Sequence, residues 1–177
     1  MKIVFNGDHS GMKKAVAFAN ALGGNAAFWD EVSRKTPPFS HTSMRPAEVA
    51  ARIRDAHRTV TVQLWTPSLL KKPFYRNTVA FFDGDDPDTL FYHTAFLTNS
   101  VGEMVNTVVH EYIHAIDDDG EFGHGDNSPG GKEQSVPYWI GDLAEKHYNV
   151  NAGLGEIVKG VDLTHVMAKA ADGQISR

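Results

Sequence analysis

Residues 100–116 are the segment that most constrains the fold, because apolar residues recur there at helical spacing between two clear ends. Ser100 and Glu103 have the spacing of a capping box, in which each side chain binds the backbone N–H of the other residue. Gly120 is a stop signal after the last apolar residue. The pattern predicts a helix over residues 101–116 with one broad buried face.

Two histidines lie four residues apart on the polar side of this predicted helix, and a glutamate follows the first. His110 and His114 project from the same side, so both imidazoles can reach one metal ion. Glu111 lies about a quarter turn away, near such an ion but angled away from direct ligation. The residues that flank the histidines are uncharged. This composition disfavours the alternative, a solvated helix that only happens to contain histidines.

The sequence HEYIH at residues 110–114 resembles the HExxH signature of the zincin metallopeptidases. The order of strands, motif helix, loop and second helix over about residues 59–148 is also similar to that superfamily. The resemblance implies that His110 and His114 bind Zn²⁺ and that Glu111 is the general base. It also implies a zinc-dependent metalloendopeptidase that hydrolyses peptide bonds in a protein or peptide substrate.

A catalytic zinc ion takes three protein ligands and leaves one position for water, so a third ligand is expected. The chain does not continue as the metzincin pattern, lacks the Gly-Thr turn of the aspzincins, and lacks the aspartate that accompanies the gluzincin glutamate. The subfamily is therefore unassigned, with a metzincin- or aspzincin-like turn after the motif. We select His124, because its neighbouring glycines allow the chain to turn back beneath the helix. Glu133, Asp126 and Asp142 are the alternatives.

Two further features have both a functional and a structural interpretation. Tyr138 falls on the polar side of a helix predicted over residues 136–148, where it is a candidate stabiliser of an oxyanion. A partly buried structural tyrosine is the alternative. The three aspartates at residues 117–119 are typical of a calcium site, but the EF-hand spacing is absent. A solvated turn is therefore the favoured interpretation.

The composition excludes several classes of protein. The chain has no cysteine, which excludes a disulfide framework, a thiolate zinc site and a cysteine nucleophile. It also excludes peptide deformylase, an HExxH hydrolase whose pattern needs a cysteine ligand. The net charge of −5 and the absence of a basic run argue against nucleic acid as a partner. The remaining alternatives are a non-proteolytic zinc hydrolase and a metal-stabilised binding module.

The location of the protein is constrained by what the sequence lacks. No segment approaches the ~20 apolar residues that a membrane span needs. The N-terminus has no apolar core of signal-peptide length. We expect a soluble monomer, either cytoplasmic or exported without a cleavable signal peptide. Its small size is compatible with a secreted effector or toxin.

The 177 residues suggest a single metallopeptidase-like domain over residues 1–177. Apolar periodicity predicts an α+β fold with a short mixed sheet and a central HExxH helix, as in a small zincin-like domain. Strands are predicted at residues 2–5, 59–65, 77–82 and 89–93. Helices are predicted at residues 11–22, 25–34, 47–58, 101–116, 136–148 and 162–171.

Overall fold

The computed structural model describes residues 1–68, 77–83, 86–124 and 134–160. Within them the chain is a small mixed α/β domain, consistent with the predicted α+β class. Its elements are β1 (Lys2–Val4), α1 (Ser10–Gly23), α2 (Ala26–Ser33), α3 (Pro46–Arg54), β2 (Thr59–Trp65), β3 (Ala80–Asp83), β4 (Asp86–His93), a 3₁₀ turn (Thr94–Phe96), α4 (Val101–Ala115) and α5 (Val136–Gly160).

The four strands form one mixed sheet in the order β1-β2-β4-β3. β1 pairs parallel with β2, β2 pairs parallel with β4, and β3 pairs antiparallel with β4. Parallel neighbours need a long connection, usually helical, and α1, α2 and α3 supply it between β1 and β2. The predicted short mixed sheet is confirmed, with β4 rather than β3 beside β2. This order leaves β3 at the sheet edge.

The motif helix α4 forms within one residue of its predicted bounds. Ser100 Oγ accepts a hydrogen bond from the backbone N–H of Glu103 at 3.2 Å, and the Glu103 carboxylate accepts one from the N–H of Ser100 at 2.8 Å. The capping box is therefore confirmed. The predicted apolar stripe is buried, with exposures of 1% or less at Met104, Val105, Val108, Val109, Tyr112 and Ile113.

Helices α4 and α5 pack closely because each has a glycine opposite an asparagine of the other. A Cβ at Gly141 would lie 2.5 Å from Asn106 Oδ1, and one at Gly102 would lie 2.7 Å from Asn149 Oδ1. Neither position has room for a larger residue without movement of its neighbour. These two contacts fix α5 against the side of α4.

Several element bounds differ from the sequence predictions. Helix α3 ends at Arg54 rather than at residue 58, because Arg58 instead pairs with the carboxylate of Asp88 at the start of β4. Helix α5 extends beyond its predicted end at residue 148 and reaches Gly160. The helix predicted over residues 162–171 lies outside the described residues.

Within the described residues, no helix combines the length and apolar character that crossing a membrane requires.

Candidate metal centre

Three histidines converge at the end of the motif helix. His110, His114 and His124 each offer a ring nitrogen, and these atoms all lie within 4.8 Å of one another. Nε2 of His110 and Nε2 of His114 are 3.2 Å apart. Two nitrogens bound to one tetrahedral zinc ion at ~2.1 Å would be about 3.4 Å apart. The i, i+4 spacing and the following turn therefore bring together a group that could hold a metal ion.

The protonation and burial of these histidines fit the requirements of metal ligands. His110 is 9% exposed. Burial, and secondarily the charge of His124, lower the pKa of His114 to about 4, so its imidazole is neutral at physiological pH, as ligation requires. Within the described chain, Nδ1 of His124 is buried and has no hydrogen-bond partner. An imidazole donor set of this kind suits zinc, copper, iron or nickel.

Glu111 lines the same cleft as two of the histidines without belonging to the cluster itself. The cleft has a volume of about 540 Å³ and is also lined by His110, His124 and Tyr138. The carboxyl is half-buried, and burial raises the pKa of Glu111 to about 7. A carboxyl group with this pKa can exchange a proton near neutral pH.

Tyr138 projects from the first turn of α5 onto the histidines. Its ring centroid lies 4.5 Å from that of His110 and 5.1 Å from that of His124, both in edge-on arrangements. The helix predicted at this position is present, and its close packing against α4 determines where the tyrosine lies. The structure therefore brings the candidate oxyanion stabiliser to the wall of the cleft.

Of the alternative third ligands, Asp142 lies within the described residues. Asp142 does not join the cluster, because its carboxylate is exposed and accepts a hydrogen bond from Asn106 Nδ2 at 2.8 Å. Asp126 and Glu133 lie outside the described residues. Among the described candidates, His124 is therefore the one that lies beside the motif pair.

Asp117 caps the turn between α4 and His124, a role that the sequence reasoning did not assign to it. The Asp117 carboxylate accepts hydrogen bonds from the backbone N–H groups of Glu121 at 2.9 Å and Phe122 at 2.8 Å. Gly120 has a φ of 74°, a conformation that favours glycine. Phe122 is fully buried in the core. An aspartate followed by a nearby glycine is a recognised turn signal, and it could have indicated this arrangement.

The acidic run forms a turn, as expected, and the side chains of Asp118 and Asp119 are 84% and 59% exposed. Arg58 donates hydrogen bonds to Asp118 Oδ1 at 2.9 Å and to the carbonyl oxygen of Ala115, the last residue of α4. Asp119 pairs with Arg52 at 2.6 Å. An acidic run at a helix C-terminus is unfavourable to the helix dipole, and these two arginines compensate for it. The carboxylates of the acidic run therefore form ion pairs and cap backbone N–H groups.

The edge strand β3 contributes to the walls of two hollows beside the histidines. Its first residue, Ala80, and residues 77–79 before it line the cleft of the histidine cluster. A second hollow of about 400 Å³ lies against His114, and Phe82 of β3 and Arg58 contribute to its walls. The sheet edge therefore lies next to the histidine cluster.

No family model, curated protein or solved structure matches this chain. The function is therefore inferred from the geometry of the histidine cluster and its cleft.

Proposed function

We propose that this protein is a zinc-dependent metalloendopeptidase of zincin type. The observation that carries the proposal is the convergence of His110, His114 and His124 at a cleft that Glu111 also lines. A metal-stabilised binding module has no use for a half-buried carboxyl group with a raised pKa on the cleft wall. Hydrolysis with a general base requires such a group.

The three imidazoles are the residues that would hold the ion. Zinc is the metal of choice because catalytic zinc sites commonly have three protein ligands, as in three-histidine sites, and keep one position open. When bound, zinc supplies a Lewis acid and lowers the pKa of a water molecule to about 7. Three neutral histidines leave the full positive charge of the ion available for that effect.

Glu111 acts as the general base. Its carboxylate accepts a proton from the attacking water and later transfers that proton to the leaving amine. A base is most effective when its pKa lies near the operating pH, and burial raises the pKa of Glu111 to about 7. Tyr138 assists from the neighbouring wall, where its hydroxyl donates a hydrogen bond to the oxyanion that forms at the scissile carbonyl.

The substrate is an extended polypeptide that lies along β3. An edge strand can bind an extended peptide through backbone hydrogen bonds in the manner of β-augmentation. Such a peptide would lie beside the two hollows that β3 borders, next to the histidine cluster. The cleft volume of about 540 Å³ is within the range of binding sites for small ligands and peptide side chains.

Metal analysis combined with a peptidase assay tests the proposal. Wild-type protein should contain about one zinc ion per chain and cleave casein or a mixed peptide library in a chelator-sensitive reaction. Glu111→Gln should keep its zinc and lose activity by about 10²–10⁴-fold, because an amide cannot accept the proton. Glu31→Gln is the matched control, since Glu31 pairs with His147 and lies outside the cleft. Activity of zinc-loaded Glu111→Gln within a factor of about two of wild type would exclude Glu111 as the base.

A further inference from the structure

We infer that Arg52 is a positioning residue of the metal centre, which fixes the turn that presents His124. This role rests on the proposed zinc site but not on the proposed peptide hydrolysis. Arg52 lies on α3, and its contacts with the turn are made by its guanidinium group.

The need for such a residue follows from the local structure around the three histidines. His110 and His114 are held by the backbone of α4, whose geometry sets their separation. His124 follows the end of α4 in a segment without regular structure. A ligand in such a segment is ordered only by the contacts of the residues near it. Those contacts determine how much freedom His124 loses when a metal ion binds.

Arg52 contacts the turn at three points, one of which is Asp117 Oδ1 at 3.7 Å from its Nη2. Its Nη1 and Nη2 donate hydrogen bonds to the two carboxylate oxygens of Asp119 at 3.0 and 2.6 Å, which is a bidentate pair. Its Cζ atom also lies 4.9 Å from the ring centroid of Phe122. Phe122 is fully buried and is two residues before His124. One guanidinium group therefore holds both the apex of the turn and the residue that leads to the ligand.

A second tether comes from the loop before α3. Glu121 Oε2 accepts hydrogen bonds from Thr42 Oγ1 at 3.1 Å, from the Ser43 backbone N–H at 3.0 Å and from Ser43 Oγ at 3.0 Å. Like Arg52, these two residues belong to the part of the chain before β2. A segment distant in sequence from the motif helix thus fixes the turn on two sides.

Global stability is an insufficient explanation for the arginine. An exposed ion pair contributes little to folding, and the Asp119 side chain is 59% exposed. The planar fork of arginine, in contrast, sets the direction of its partner and stacks on an aromatic ring, which lysine cannot reproduce. The pair is therefore better suited to orienting the turn than to stabilising the fold.

Zinc affinity measured against a chromophoric chelator tests this role. Residues that orient metal ligands typically change affinity by about 10–100-fold, and Arg52→Gln should weaken zinc binding by about that factor. The visible spectrum of the Co²⁺-loaded variant should shift toward that of His124→Ala. Arg54→Gln is the matched control, because Arg54 lies on the same helix and pairs with its neighbour Asp55. It should bind zinc as wild type does.

Two further variants separate orientation from charge and from folding. Asp119→Asn should also weaken zinc binding, but by no more than Arg52→Gln, because it removes the bidentate pair and keeps the contact of Arg52 with Phe122. The double variant should be no weaker than Arg52→Gln, because both lose the same pair. Arg52→Lys keeps the charge but not the fork, so it should also bind zinc less tightly than wild type. Its folding is checked by circular dichroism without metal.

The inference is overturned if Arg52→Gln and Arg52→Lys bind Zn²⁺ and Co²⁺ as wild type does while His110→Ala loses both. Failure of the proposed function has a different signature, in which the wild-type protein binds zinc in the manner described but cleaves no peptide. The role of Arg52 stands in that case. A wild-type protein without a zinc site would overturn both.

Discussion

The motif helix and the turn that follows it contribute histidines to the same cluster by different means. In α4, the separation of His110 and His114 is set by the helical repeat, and the helix is held by its buried stripe. In the turn, His124 is placed by the contacts of the residues before it, including the pair of Asp119 with Arg52, which lies 67 residues earlier in the chain. Local geometry therefore places two of the three histidines, and tertiary structure places the third. Variants in α4 and in the turn should affect the cluster differently.

The largest expected effect is the loss of the metal when a ligand from either region is removed. Removing a direct ligand should weaken binding more than the roughly 10–100-fold cost of changing a residue that only orients one. His110→Ala and His124→Ala should therefore both lose zinc on dialysis, whereas Asp142→Ala, Glu133→Ala and Asp126→Ala should retain it. Zinc content measured by atomic emission decides the matter. If His124→Ala retained its zinc and one of the carboxylate variants lost it, His124 would not be the third ligand.

The second prediction compares truncations of one buried residue in each region. Phe122→Ala in the turn and Met104→Ala in α4 each remove a side chain that is 1% exposed or less, at a cost of about 2–5 kcal/mol in the free energy of unfolding. Only Phe122→Ala should also weaken zinc binding, by about 10-fold or more, because it releases the turn before His124. Urea unfolding without metal and a zinc titration of the folded proteins measure the two quantities. If the two variants bound zinc equally tightly, the turn would not be what places His124.

The third prediction concerns pH in the metal-free protein and the glutamate that the helix carries. The pKa of Glu111 is raised from 4.5 to about 7 on folding, so between these values the folded state binds more protons than the unfolded state. The contribution of Glu111 to stability is therefore present at low pH and is lost as the pH rises through about 7. Glu111→Gln removes this loss. Its stability relative to wild type should be higher at about pH 8 than at about pH 5, by about 1–3 kcal/mol.

Urea unfolding in the presence of a chelator measures this difference. The low pKa of His114 gives the opposite slope, since stability then rises as the pH increases from about 4 to 6.5. That contribution is present in both proteins, so it cancels when they are compared. An identical pH profile for wild type and Glu111→Gln would show that Glu111 is not buried in the way described.

The smallest expected effect is a backbone effect in the turn. Gly120 has a φ of 74°, so Gly120→Ala should reduce the free energy of unfolding by about 1 kcal/mol. Gly24→Ala is the matched control, because Gly24 has a φ of −95° and an added Cβ would meet only Ala21 O at 3.9 Å. It should leave stability unchanged or raise it slightly. Thermal unfolding monitored by circular dichroism measures the stability of both variants. Equal stability of Gly120→Ala and Gly24→Ala would show that the turn tolerates another conformation.

The sequence predicted well the features that depend on neighbouring residues. Helix α4, its capping box and the face that carries His110 and His114 all follow from the helical repeat, and the structure confirms them. Most strands were also recognised, because β-branched and aromatic residues cluster in them. The sheet order was not, since nothing in a strand's own sequence specifies which partner lies beside it.

The environment of His124 shows where sequence reasoning reaches its limit. Flanking glycines indicated that the chain could turn back, and this was enough to select the residue. The contacts that hold the turn could not be predicted, because the pairs of Arg52 with Asp119 and of Ser43 with Glu121 join segments 67 and 78 residues apart. Such pairs have no local signature. The ion pairs of Asp118 with Arg58 and of Asp119 with Arg52 were not foreseen for the same reason.

A crystal structure of the zinc-loaded protein, with anomalous diffraction recorded at the zinc edge, tests the central claim most directly. The account predicts one anomalous peak about 2.1 Å from a ring nitrogen of each of His110, His114 and His124, with no bond to the Glu111 carboxylate. A peak elsewhere in the molecule, or a carboxylate of Glu133 or Asp126 in the place of His124, would contradict it.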